Sequence, residues 1–202
     1  ATKKGTTPLS VTCQSGRVDI VQLLLARKEI QINQATKDGR TPLFMASIFG
    51  HVDVVRLLLA RKEIQINQAD ENGMTPLFIV CHVVDGVDVV RLLLARKEVQ
   101  INQATKDGRT PLYMACANGH VGIVRLLLAR EDTHINQVDE NESTPLFIAC
   151  QKGRADVVQV LLARKEIQIN QAARDGATPL YTACQLGHVD IVRLLLTRKD
   201  LN

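Results

Sequence analysis

The sequence predicts an all-α solenoid of stacked helix-turn-helix units joined by β-hairpin loops. Three observations predict it: a triplet that recurs at an almost constant period, a helix start and a helix stop at fixed offsets from that triplet, and a turn dipeptide just ahead of it. The triplet Thr-Pro-Leu begins at Thr7, Thr41, Thr75, Thr110, Thr144 and Thr178, at spacings of 34, 34, 35, 34 and 34. Self-similarity at such a period marks a repeat array. Ala26 to Leu43 and Ala95 to Leu112 differ only at Ile30 against Val99.

Each element has a physical origin. The repeat Thr is placed to cap a helix, its hydroxyl accepting a backbone N–H, and Pro follows at the first helical position, where a missing N–H costs nothing. This first helix stops about two turns later at Gly16, Gly50, Gly119, Gly153 and Gly187, because glycine accepts the left-handed conformation. A second helix follows, with Asp19, Asp53, Asp88, Asp156 and Asp190 in its first turn and an Arg-Lys pair at its end, complementing the helix dipole. Its apolar face is Val-Val or Ile-Val followed by Leu-Leu-Leu. The connection ends in Asp38-Gly39, Asn72-Gly73, Asp107-Gly108 or Asp175-Gly176, dipeptides that tight hairpin turns require.

Composition narrows the function classes. The chain has 202 residues, 46% hydrophobic and 23% charged, which suits a folded protein; aromatic content of 3% with no Trp means a core of Leu, Val, Ile and Ala. The net charge of +4 comes from 25 basic and 21 acidic residues that are interleaved, which argues against nucleic acid. No apolar run is long enough for a membrane span, and the N-terminus lacks a signal peptide's apolar region. Five Cys with no Cys-x-x-Cys pair suggest neither a disulfide framework nor a zinc site. The expected setting is intracellular, cytoplasmic or nuclear.

The repeats resemble the ankyrin-repeat family over essentially the whole chain. The matching pattern is Asp-Gly-x-Thr-Pro-Leu-x-x-Ala, then Gly-His, then Val-Val-x-Leu-Leu-Leu, then Ile-Asn, complete in Asp38 to Asn67. Six repeats are expected at about 1-33, 34-67, 68-102, 103-136, 137-170 and 171-202, forming one array with incomplete ends that reads as a monomer or a segment of a larger chain. The family repeat is usually about 33 residues; here an extra residue sits between Arg61 and Ile66 and at the equivalent places. In the third repeat Val84 and Asp85 fall in a turn expected to bulge. Glu142 stands where the other repeats have a tip glycine, so strain is expected there.

Candidate chemistry is sparse. Cys13, Cys81, Cys116, Cys150 and Cys184 lie six residues after the repeat Thr, with Ser47 in that place in the second repeat, and read as buried packing residues. Cys116 with His120 could be a catalytic pair, but no carboxylate is placed to orient the ring and the pair recurs at Cys184 and His188. Neither an enzyme, a cofactor nor a metal site is expected. Phe44, Phe78, Tyr113, Phe147 and Tyr181 read as packing between repeats, with an exposed ladder as the alternative. Asn33, Asn67, Asn102, Asn136 and Asn170 are expected to bond neighbouring backbone. The resemblance implies a further role for them, as substrates of asparagine hydroxylation.

The resemblance also implies a protein-binding scaffold, or alternatively a spacer, with the tips and the ends of the first helices lining the concave face that meets the partner. Those positions vary between repeats while the frame does not. Only repeats two and three place an apolar cluster there: Ile48, Phe49, Met74, His82 and Val83, edged by Arg40, Glu71 and Arg109. Chance exposure, or a flanking segment that covers them, is the competing explanation.

Overall fold

A computed structural model describes residues 2–3, 5–83 and 86–202. The expected bulge at Val84 and Asp85 lies outside the described residues, as does Lys4, one of the variable tip positions. The chain groups into two compact units, Ala1–Gln103 and Ala104–Asn202, each holding three of the six repeats.

In the first unit the helices are α1 Pro8–Gln14, α2 Val18–Leu25, α3 Pro42–Ile48, α4 Val52–Leu59, α5 Pro76–Val83 and α6 Val87–Leu94. The second holds α7 Pro111–Asn118, α8 Val121–Leu128, α9 Pro145–Gln151, α10 Ala155–Leu162, α11 Pro179–Gln185 and α12 Val189–Leu196. The helices of each repeat pack as a pair. Within the first unit α1, α3 and α5 stack in order, as do α2, α4 and α6; α7, α9 and α11, and α8, α10 and α12, do the same in the second.

The helix starts follow from the repeat Thr. The hydroxyls of Thr41, Thr75, Thr110 and Thr144 accept the N–H of Phe44, Phe78, Tyr113 and Phe147 at 3.0–3.1 Å. Thr7 adds the reciprocal bond, its own N–H donating to Ser10 Oγ at 2.9 Å. The second helices start without a side-chain cap and stop at Leu, followed by a capping Ala or Thr. Each Arg-Lys pair therefore lies just past the helix rather than inside it. Its guanidinium serves the stack: Arg198 Nη1 donates to Leu162 O at 2.7 Å, and Arg96 reaches Leu59 O in the same way. The carbonyl end of one second helix is thus satisfied by the next repeat.

The connections close as tight hairpin turns without flanking strands. Asp70 N donates to Met74 O at 2.9 Å and Gly73 N to Asp70 O at 3.0 Å, closing the tip in one turn, and no described residue is assigned to a strand. Tips lie edge to edge within each unit: Glu71 N donates to Asp38 O, Glu140 N to Asp107 O and Arg174 N to Asn141 O, at 2.9–3.1 Å. The extra residue of the long repeat falls in a stretch where an exposed pair such as Arg61 with Glu63 flanks two buried side chains, Ile64 and Ile66. Glu142 is left-handed, at φ 59°, as its replacement of glycine implied.

Burial separates inner repeats from end repeats. Val54, Val55, Leu58, Leu93, Leu127 and Leu161 are fully enclosed, and Phe44, Phe78, Tyr113 and Phe147 are buried. Cys13, Cys81, Cys116 and Cys150 are buried, and burial pushes the thiols of Cys13 and Cys150 up to about 12. Two expectations fail in the sixth repeat. Cys184 is exposed and Tyr181 is 58% exposed, because α11 packs on α9 and α12 and leaves its other side uncovered.

Leu58→Ala should cost about 2–5 kcal/mol of stability through the cavity it leaves, measured by urea denaturation. Thiol labelling of the native chain at pH 8, located by mass spectrometry, should modify Cys184 rapidly, with Cys13, Cys81 and Cys150 reacting only on unfolding.

Candidate protein-binding surfaces

Most polar side chains at equivalent places in the repeats hold one repeat to the next. Asn33 Nδ2 donates to Glu63 O at 2.7 Å while its Oδ1 accepts Gln65 N–H at 2.9 Å. Asn67 bonds Glu98 O and Gln100 N identically, and in the second unit Asn136 bonds Glu166 O and Gln168 N. Asn170 closes the series on Asp200 O and Asn202 N. Both ends of these amides are engaged, so presenting one of them to an enzyme means breaking two bonds.

The turn between paired helices is tied similarly. His51 Nε2 donates to Gln14 O at 2.9 Å, and His188 faces Gln151 O at 3.4 Å. Where the fifth repeat lacks the His, Arg154 Nε donates to Ala117 O at 3.1 Å. The glycine of the repeat below is the seat for that side chain. A Cβ on Gly16 would stand 2.7 Å from the His51 ring, and one on Gly153 would stand 2.8 Å from His188.

The tips hold a pattern that sequence reasoning missed. In repeats two and four a Thr sits five residues before the repeat Thr, and Thr36 Oγ1 accepts Arg40 N–H at 3.1 Å. In repeats three and five the place is taken by a buried Asp. Asp70 Oδ1 accepts the N–H groups of Asn72 and Met74, both at 2.9 Å, and Asp139 Oδ1 those of Asn141 and Ser143 at 3.0 and 2.9 Å. The alternation of Thr and Asp at this offset was the available signal, since both can accept turn N–H groups.

What remains outside this frame is the candidate surface. In the first unit Phe49 caps the end of α3 at 48% exposure and Val83 ends α5 at 49% exposure, at equivalent places on helices that pack together. Phe49 stacks on His51, with ring centroids 6.1 Å apart, and borders a hollow of about 350 Å³ with Gly50, Val52, Gly86, Val87, Asp88 and Val89. The ring therefore leans toward the second helices. His82 is exposed and lies near Phe78, ring to ring 6.2 Å, while Ile48 is half-buried. Arg40, Glu71 and Met74 stand at the other end of the first helices, on the tips; Arg40 pairs with Asp38 at 3.1 Å and lies 5.9 Å over the Phe44 ring. The cluster is thus spread along the helix length. Arg109, grouped with these residues in the sequence, belongs to the second unit, where it pairs with Asp107 at 3.2 Å and lines a groove.

That groove has a volume of about 830 Å³ and lies over the tips of repeats four to six and the first helices of repeats four and five. Tyr113 and Asp139 meet in its wall, and burial together with the Asp139 carboxylate raises the phenol above its ordinary range. Among the described residues no cluster of His, Cys, Asp or Glu could hold a metal ion, and no helix is long and apolar enough to cross a membrane.

The family model for ankyrin repeats matches three times, over residues 1–70, 62–139 and 128–202, which together span the chain. The chain belongs to the ankyrin-repeat family. No curated protein sequence matches it. Among solved structures it is similar to the crystal structure of the human ASB11 ankyrin repeat domain, with 26% identity and a TM-score of 0.80, over 95% of this chain and 83% of that one. Its fold is the all-α ankyrin-repeat solenoid, and ankyrin repeats are generally protein-interaction modules.

Asn67→Ala, which removes both bonds of one ladder member, should lower stability by about 1–2 kcal/mol, read as a fall in the urea midpoint.

Proposed function

We propose that this chain is a protein-interaction scaffold whose first unit grips a partner polypeptide around the ends of α3 and α5. One observation carries the reading. Among the described residues, the large apolar side chains left exposed are Val11, Ile20 and Leu23 in the first repeat, Tyr181, Leu186, Val189 and Leu196 in the sixth, and Phe49 and Val83. In the first and sixth repeats this surface lies on sides against which no other described repeat packs. Phe49 and Val83 sit in inner repeats, where stacking covers everything that the frame needs covered.

An exposed apolar pair at matching positions of adjacent repeats is the makeup of an interface centre. Ile48 and His82 continue it along the first helices, and Met74 extends it to the tips, where Arg40 and Glu71 supply a charged edge. The side chains of Ile48, Phe49, Met74 and Val83 take no part in the ladder of Asn bonds or in the Thr caps, so they can differ between repeats without disturbing the frame.

The test uses a partner recovered with the intact chain and then titrated against purified forms. Phe49→Ala should weaken binding by about 2 kcal/mol, roughly thirtyfold, with an unchanged thermal midpoint. Equal affinity for both forms would overturn the placement.

A further inference from the structure

The groove of the second unit is a separate surface, and its chemistry points to a particular kind of occupant. Its floor is apolar: Met114, Ala117 and Ile148 stand on α7 and α9, nearly buried by their neighbours. Its walls bring Arg109, Lys152, Arg154 and Arg174 together against two acids, Asp139 and Asp175.

Of the acids, Asp139 is committed and Asp175 keeps its charge. Asp139, with its side chain 1% exposed, holds two tip N–H groups and has Arg109 Nε at 4.0 Å. Asp175 is exposed, with Oδ1 accepting the backbone N–H of Ala177 at 3.0 Å, and so offsets one positive charge. Lys152, Arg154 and Arg174 outnumber it. Lys152 is exposed at the end of α9 and makes no ion pair. Arg154 gives its Nε to a neutral carbonyl, so its charge is uncompensated. Arg174 has Glu142 at 3.4 Å, but both are well exposed, and such a pair is weak in water.

The fold does not require this surplus of positive charge. At the same offsets from the repeat Thr, Lys152 and Arg154 of repeat five correspond to Phe49 and His51 of repeat two, and Arg174 of repeat six corresponds to Glu71 of repeat three. A hollow of about 340 Å³ shares Phe147, Gln151 and Asp175 with the groove and continues it toward Tyr181 and Gln185 on α11. The result is a trough across three repeats, with an apolar floor and a cationic rim.

We infer that this trough takes an extended acidic peptide segment of a partner protein. Its Asp or Glu carboxylates lie against Lys152, Arg154 and Arg174, and an apolar side chain rests on Met114, Ala117 and Ile148. Opposite charge steers such a segment in and sets its register, while the floor supplies apolar burial. Single-stranded nucleic acid fits less well, because Tyr113 and Phe147 are buried and leave Tyr181 as the trough's one exposed ring face, where a run of stacked bases needs several. The inference is independent of the patch at Phe49 and Val83.

A display library of random dodecapeptides selected on the intact chain tests it, with the winners measured by fluorescence anisotropy. The winners should be rich in Asp and Glu around an apolar residue, and they should bind the Lys152→Glu, Arg174→Glu double variant about tenfold more weakly or worse. Lys152→Gln should give a smaller loss in the same direction, and Phe49→Ala none. Both substituted cations are exposed, so circular dichroism and the thermal midpoint should match the parent chain. Failure to enrich acidic peptides, winners that bind the double variant unchanged, winners lost on Phe49→Ala, or an oligothymidine that binds more tightly than the best peptide would each overturn it.

Discussion

A helix of seven or eight residues is two turns long, too short to persist alone in water, and a pair of them cannot enclose its own leucines. Burial between neighbouring repeats is therefore the interaction on which each unit depends. Leu58 and Val55 on α4 are fully enclosed because α4 lies against α2 and α6 as well as against α3. The sixth repeat displays the converse. It has the same Leu-Leu-Leu run and the same Cys, yet Leu196 and Cys184 are exposed, because among the described residues only the fifth repeat packs against it.

Apolar stacking alone has little directional preference, and polar bonds between repeats supply the register. Each of Asn33, Asn67, Asn136 and Asn170 engages two backbone groups of the following repeat, so a slip by one residue would break both bonds at once. The turns are held by His51 and His188 reaching back to carbonyls, with glycine below them to leave room for the ring. Arg154 takes the same place with different chemistry, keeping the bond to the carbonyl and adding a charge to the groove wall. One position thus serves the frame and alters the surface together.

In such an array the side chains that the frame does not use are free to set the surface. Those of Phe49 and Val83 in the first unit and of Lys152 and Arg174 in the second are exposed and carry different chemistry: an apolar pair in one case, cations beside an apolar floor in the other. A scaffold of equal repeats acquires distinct surfaces in this way without any change to its core. The tips contribute as well, since buried Asp70 and Asp139 fix their shape from within and leave the outward side chains free.

Much of this was legible in the residues themselves. The repeat, the Thr caps, the glycine stops, the Asn bonds and the left-handed Glu142 follow from local rules, because each depends on a residue and neighbours at a known offset. The variable positions were equally legible, since six copies in one chain can be compared. The tertiary structure decided what those positions do together. It turned Phe49 toward His51 and the second helices, parted it from Met74 at the tips, left Cys184 and Tyr181 uncovered, and assembled Lys152, Arg154 and Arg174 around one groove. The physical reason is that exposure and groove shape depend on how neighbouring repeats pack and which way each side chain turns, and neither quantity belongs to any single repeat.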